Sequence, residues 1–199
     1  MNAFLTGVIF LVAFTATGNS IDCVRCYTSD GIDCSGEVRT CADGLTNCRT
    51  LSSEKFEDGV TTNKVFKYCG RAEDPSWIYR EESLTTFHQL EIQKCKTDKC
   101  NQEPAQLTAR DNTPNGVKCM QCFEDHSTDC NSEETMECTG DMNKCLFISG
   151  LVCKNGTSYY ACAQRLCTNI ASADKHPFYH DVATGNIQKL EVTEGINDA

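Results

Sequence analysis

Sixteen of the 199 residues are cysteine. Three chemistries are open to them: disulfide formation, metal ligation, or attack as a thiolate. The count is even, as complete pairing requires. Two pairs carry the C-x-x-C spacing, Cys23 with Cys26 and Cys119 with Cys122. A zinc site uses that spacing too, but needs a second close pair or an H-x₃₋₅-H partner. Here each pair is followed by single cysteines at seven- to nine-residue steps, and His88, His126, His176 and His180 lie outside that frame. Disulfides are therefore expected, with no metal site and no cofactor. Cysteines in disulfides have no thiolate to attack with, and the serines and histidines form no nucleophile motif. No catalytic residue is assigned, and no enzyme is expected. His176-Pro-Phe-Tyr-His180 has the i,i+4 spacing of a helical metal pair, but Pro177 and the polar surroundings argue against a helix.

The cysteines fall into two series. Cys23, Cys26 and Cys34 map onto Cys119, Cys122 and Cys130 by one shift of 96, and each series closes on a step of five, Cys95 to Cys100 and Cys162 to Cys167. One framework is written twice. A module of about eighty residues buries too little apolar surface to be stable with ease, and each disulfide adds about 2–4 kcal/mol, mostly by restricting the unfolded chain.

The compartment is legible in the first twenty residues. Phe4 to Phe14 is apolar, uncharged and too short to span a bilayer, so residues 1–18 read as a signal peptide, with cleavage before Asn19 or Ile21. No second apolar run follows and the sequence ends on polar residues, so no membrane anchor is expected and the chain reads as secreted and extracellular. The formal net charge of −10 argues against nucleic acid and anionic membrane as partners, since both need basic patches; it would suit a cationic partner, and solubility explains it equally well.

The elements that position these cysteines are strands. Arg49 to Glu57 and Val60 to Tyr68 flank Asp58-Gly59, a dipeptide that favours the type I′ turn of a two-residue hairpin. Folding there sets Cys48 opposite Cys69. Residues 71–94, with Trp77, Ile78, Tyr79 and Phe87, read as an irregular loop plus one strand ending at Cys95. Residues 102–118 hold Pro104, Pro114 and Asn115-Gly116 and read as a linker. The second copy, 119–169, is shorter, and Asn155-Gly156 is a hairpin turn signal. Two assignments stand there: Cys153 is the sixth cysteine of the framework, or Cys153 lies mid-strand and Cys162 takes that role. Residues 170–199 lack cysteine, carry a net charge of −3 and read as an acidic, disordered tail.

The C-x-x-C opening, the cysteine-bounded hairpin and the closing Cys95-x₄-Cys100-Asn101 resemble the LU domain, the three-finger module of the lymphocyte antigen-6/urokinase-receptor superfamily, in an eight-cysteine variant. The resemblance implies a small disulfide-rich all-β fold with two three-finger modules in tandem: 21–101, then 119–169 with shortened fingers. It implies Cys23–Cys48, Cys26–Cys34, Cys41–Cys69 and Cys95–Cys100, then Cys119–Cys145, Cys122–Cys130, Cys138–Cys153 and Cys162–Cys167. It also implies that Asn101 ties the last loop to the opening strand. The second copy departs from the pattern, because Thr168 stands between Cys167 and Asn169. No implied bond crosses 101–118, so the modules are expected to fold separately.

Members of that family are non-enzymatic binding proteins, which implies a secreted protein that modulates an extracellular receptor, channel or enzyme through its finger loops. Trp77, Ile78 and Tyr79, with Asp58 at the hairpin tip, are the expected contact residues, because aromatics give large rigid anchors. The bland alternative is that they cover the module's own core or its neighbour. Glu124, Asp125, Asp129, Glu133, Glu134, Glu137 and Asp141 form an acidic run that reads first as a solvated loop, with a cationic partner or weak calcium binding as the alternatives. Asn155-Gly156-Thr157 is an N-glycosylation sequon. A second functional reading is a carrier of a small hydrophobic ligand or lipid, with Trp77, Phe87 and Tyr159 lining a pocket between the modules.

Overall fold

The structure, a computed structural model, describes residues 20–155, 157–179 and 184–197; the expected signal peptide lies outside them. The first module has six strands: β1 (Asp22–Thr28), β2 (Glu37–Thr40), β3 (Asn47–Glu57), β4 (Val60–Gly70), β5 (Trp77–Glu82) and β6 (Thr86–Cys95). β3 and β4 form the expected hairpin, with Glu57 opposite Val60 and Cys48 opposite Cys69. Asp58 (φ 51°) and Gly59 (φ 78°) both take the left-handed backbone that a type I′ turn demands. β3 also pairs along its whole length with β6. The stretch read as a loop plus one strand is instead a second regular hairpin, β5 against β6, because Ile78-Tyr79 and Phe87 through Ile92 supply the residues that a pleated surface favours.

The second module repeats this plan in seven strands: β7 (Pro114–Met120), β8 (Cys122–Asp125), β9 (Thr135–Thr139), β10 (Lys144–Asn155), β11 (Ser158–Thr168), β12 (Ile187–Glu194) and β13 (Ile196–Asn197). β7 lies against β9 and β8 against β11, the two pairings that β1 makes with β2 and β4 along its own length. Part of the expected linker, 114–118, is thus strand. One antiparallel sheet runs through both modules in the order β12-β10-β11-β5-β6-β3-β4-β1-β2, joined where Cys167 and Thr168 of β11 meet Glu82 and Glu81 of β5.

All sixteen cysteines are paired and none is free. The first module holds Cys23–Cys48, Cys26–Cys34, Cys41–Cys69 and Cys95–Cys100. The second opens with Cys119–Cys145 and Cys122–Cys130, then departs from the implied pattern. Cys138 bonds Cys167 rather than Cys153, and Cys162 bonds Cys153 rather than Cys167. Strand register explains both corrections. Cys167 lies opposite Cys145 at the hairpin base, the place Cys69 holds opposite Cys48. It is therefore the sixth framework cysteine, a role taken by neither Cys153 nor Cys162. Cys153 lies within β10, beyond a bulge and opposite Tyr160, which makes Cys162 its diagonal neighbour on the same face. The middle finger of the second module consequently spans β10 and β11 and is not shortened relative to β3 and β4.

The segment 170–199 is also corrected. After a single 3-10 turn at Ala173–Lys175 the chain returns as β12, paired with β10 from Lys144↔Glu194 to Gly150↔Ile187. β12 occupies the position beside β10 that β6 occupies beside β3. Ile187 is buried, and Leu190 and Val192 are half-buried opposite Ile148 and Leu146. Leu190 and Val192 alternate with the exposed Glu191 and Thr193, which is a strand signal too short to stand out in an acidic segment.

A candidate protein-contact face on the first module

Alternation sorts the strands of the first module onto two faces. Val65 and Lys67 of β4 and Phe87, Gln89 and Glu91 of β6 point to one side and are buried. The chain itself covers that side. Residues 102–110 run across it, with the Gln89 amide donating to the Thr108 carbonyl, Gln93 to the Gln106 carbonyl, and the Thr108 N–H donating to Glu91. Lys67 is fully buried, yet its ammonium meets Asp33 at 2.6 Å and donates to the carbonyls of Gln102 and Glu103. A buried charge needs such a complete set of partners, so Lys67 fastens this strap to the first finger.

The opposite face carries a row of apolar side chains, each directly across from the next on the neighbouring strand: Tyr27, Phe66, Leu51, Ile92 and Trp77. Tyr27 is 64% exposed and Phe66 43%, while Leu51, Ile92 and Trp77 are half-buried. Phe66 stacks on Tyr68 at 4.8 Å and meets Tyr27 edge-on. The three inner strands, β4, β3 and β6, are already hydrogen-bonded on both flanks, so what the middle of the row offers is side chains rather than backbone. Isolated exposed apolar residues are ordinary, but a contiguous line of them on a folded face marks an interaction surface.

Of the residues expected to make contact, Trp77 belongs to this row and Asp58 is exposed at the hairpin tip. Tyr79 does not fit that expectation. It is 1% exposed, with Trp77 stacked on it at 5.8 Å and the rings of His88 and His176 edge-on to it. Its hydroxyl donates to Glu81, and the other Glu81 oxygen faces His88 at 3.4 Å. Burial, reinforced by the Glu81 carboxylate, holds the Tyr79 hydroxyl well above the ordinary tyrosine range. Burial alone would raise Glu81, but its contacts with His88 and Tyr79 outweigh this and hold it below the usual carboxylate value. Burial depresses His176, whose Nδ1 accepts from the Phe178 N–H. His180 lies outside the described residues.

Tyr79 and Ile78 belong instead to the junction of the modules. Asn169 brackets β5, its Oδ1 accepting from the Arg80 N–H at 2.8 Å and its Nδ2 donating to the Ile78 carbonyl. The Thr168 hydroxyl donates to the Arg80 carbonyl, and the Arg80 guanidinium pairs with Asp141 at 2.7 Å. Phe87, from β6, packs among Cys119, Met136, Cys138, Met142 and Cys167 of the second module. The Arg110 guanidinium lies 4.2 Å above its ring and pairs with Glu82. Trp77 and Phe87 therefore stand on opposite faces of the sheet, and Tyr159 is 63% exposed far along the second hairpin. The three residues that a carrier pocket would use are not brought together.

Asn101 takes the expected place, accepting from the Val24 N–H and donating to the carbonyls of Val24 and Arg49. The acidic residues 124–137 are exposed on the second module, whereas Asp141 is engaged at the junction. Asn155 ends β10. The sulfurs of Cys23, Cys41 and Cys69, and of Cys119, Cys138 and Cys167, lie close together, but each is bonded in a disulfide and has no thiolate to offer a metal. Tyr27, Leu51, Phe66 and Ile92 were not singled out by sequence, because only the strand order aligns them. Among the described residues no helix is long and apolar enough to cross a membrane.

Comparison with known proteins agrees with this architecture. The family model described as u-PAR/Ly-6 domain matches twice, over residues 19–103 and 115–188. The second match extends well past Asn169, into the segment that folds as β12. The phospholipase A2 inhibitor NAI of Notechis ater is 30% identical over 162 residues, 78% of this chain and 80% of the inhibitor. The 25 kDa phospholipase A2 inhibitor polypeptide of Naja kaouthia is 28% identical over 154 residues, 74% of this chain and 82% of the inhibitor. The urokinase plasminogen activator surface receptor of Aotus trivirgatus is 30% identical over 178 residues, 82% of this chain and 51% of the receptor.

Proposed function

The chain belongs to the u-PAR/Ly-6 domain family, and from that premise we propose that it is a secreted, non-catalytic protein that binds another extracellular protein through the open face of its first module. The observation that carries this reading is the row Tyr27–Phe66–Leu51–Ile92–Trp77, left uncovered on a sheet whose other face the chain wraps itself. The named activities of its relatives, inhibition of a phospholipase and reception of a plasminogen activator, support a protein as the ligand. The dense disulfide framework supports an extracellular site of action. In this reading Asp58 and the hairpin tip border the contact, Trp77 anchors one end of it, and Ile78 and Tyr79 hold the second module in place next to that end.

The test is affinity capture from the native fluid with the tagged, oxidised protein and with Phe66→Asp and Leu51→Asp variants. The intact protein should retain one partner that both variants lose, while disulfide maps and circular dichroism stay unchanged. Equal capture by the folded variants would move the binding site off this face.

A further inference from the structure

We propose, resting on that reading, that the partner presents an acidic amphipathic α-helix, laid across the strands along the apolar row. The direction of the row is the first argument. Five strands at about 4.8 Å spacing make a line of about 19 Å, running perpendicular to the strands. Along any single strand the same face is mixed, as in Lys64-Phe66-Tyr68 of β4 or Arg49-Leu51-Ser53 of β3. An extended segment following a strand would thus meet at most two adjacent apolar or aromatic residues, such as Leu90 and Ile92 of β6, before polar ones. A segment crossing the strands meets apolar residues only.

The second argument is pitch. A helix advances about 5.4 Å per turn, close to the strand spacing. A stripe at i, i+4, i+7 and i+11 therefore sets about one apolar side chain over each strand. Strand addition does not serve here, because β4, β3 and β6 are paired on both sides and have no free backbone edge to extend.

Charge supplies the third argument. On one flank of the row stand Arg49 and Lys94, in register beside Tyr68, and alternation along β1 puts Arg25 on the same face as Tyr27. On the other flank stand Lys64, Ser53 and Leu90. Arg25, Lys64 and Lys94 are exposed; Arg49 is buried and faces Asp74 at 3.6 Å. Across the five strands the row and its two flanking rows hold four cations, on a chain whose net charge is −10; the carboxylates beside them are Glu37 of β2, across from Arg25 and paired with Arg39, and Asp74, against Arg49. On the side of Lys64 the next carboxylate is Glu81, one row further out and already engaged by Tyr79 and His88. A partner with glutamates on both sides of an apolar stripe complements this face, whereas a basic one meets like charge on either side.

Trp77 is the sole tryptophan of the chain and sits at the end of the row, so its fluorescence reports occupancy directly. The probe is a synthetic helical peptide of about 16 residues, long enough at about 1.5 Å per residue to span the row. It carries leucine at the stripe positions and glutamate beside them; a control has lysine in place of every glutamate. The glutamate peptide should shift Trp77 emission to the blue and bind at least about tenfold tighter than the lysine peptide. Lys64→Glu with Lys94→Glu should reverse that order. Equal binding of the two peptides, or no change on charge reversal, overturns the acidic helix. So does a Trp77 shift with phosphatidylcholine vesicles alone, which assigns the face to a membrane. Concentration-dependent self-association that buries Trp77 likewise overturns it, assigning the face to a second copy. If Leu51→Asp abolishes capture of the native partner while these peptide results fail, the face stands and only the partner's chemistry is wrong. If Leu51→Asp leaves capture intact, the face itself is wrong.

Discussion

The two modules begin with the same three cysteine positions and finish differently. The first closes on itself. Its core of Ile21, Cys23, Cys41, Cys48 and Cys69 is backed by its own Cys95–Cys100 bridge, and Asn101 brackets its own opening strand at Val24. The second has no closing bridge. Its corresponding sulfurs pack against Phe87, a residue of the first module, and Asn169 brackets β5 of the first module rather than β7 of its own. The fourth bridge of the second module, Cys153–Cys162, has moved out along the hairpin. The same chemical devices, a sulfur-rich core and an asparagine bracket, serve self-closure in one copy and attachment to a neighbour in the other. A repeated framework therefore does not imply repeated autonomy.

The largest effect that tests this contrast belongs to Phe87. Phe87→Ala should cost about 3–5 kcal/mol, the range for deleting a fully buried phenylalanine, and the loss should appear in the module that does not contain the residue. Amide exchange should show β7 through β12 losing protection while the hairpin of β3 and β4 keeps most of its own. Equal loss in both modules, or loss confined to the first, would break the comparison.

The two brackets give the next test. Asn101 is buried, and Asn101→Ala removes its three hydrogen bonds to the backbone of Val24 and Arg49, at about 1–3 kcal/mol for a buried group left unsatisfied. Asn169 is half-buried at the junction, where water can replace it, so Asn169→Ala should cost about 1 kcal/mol. Denaturant titration followed by exchange at the Val24 and Arg80 amides separates the two. Asn101→Ala should act on the first module, Asn169→Ala on the junction alone.

The smallest effect is electrostatic. Burial holds His176 below its usual pKa of 6.5, so the undocked histidine takes up a proton before the docked one does. Docking at Tyr79 is at full strength above about pH 6.5 and weakens as the pH falls below it, levelling off once the buried imidazole is itself protonated. Glu81, held below its usual 4.5, adds a second loss in the same direction, present above that value and disappearing as the pH drops through the docked carboxyl's own pKa. Exchange at the Arg80 amide against pH should show both steps, and His176→Phe should remove the upper one while leaving the lower. A junction insensitive to pH between 7 and 5.5 would show that His176 does not contribute to it.

Much of the first module could be read before folding. Cysteine spacing and Asp58-Gly59 each determine local geometry, and Asn101 follows directly on its cysteine. The second module was legible only as far as Cys145. Beyond it the pairing depends on register, and a one-residue bulge in β10 decides which cysteine faces which. β12 was hidden because its alternation is short and its exposed positions are charged, so the composition read as solvated chain. The roles of Phe87 and Asn169 could not be read at all, since spacing says nothing about a neighbour's core. The contact row was equally invisible. Its five members come from five strands separated by up to 65 residues, and only the order β1-β4-β3-β6-β5 sets them side by side.

The plug that Phe87 makes in the second module bears on how such a gene can change. A module that closes on itself can be copied, moved or deleted with little penalty. Here, removing the first copy opens the core of the second, and inserting a further copy between them strands Phe87 in water. The unit that recombination can shuffle intact is the pair, cut before β1 and after β13. Relatives that kept this plug should retain a large apolar residue at the position of Phe87 whenever the second copy lacks a closing bridge, and be released from that constraint where the bridge is present.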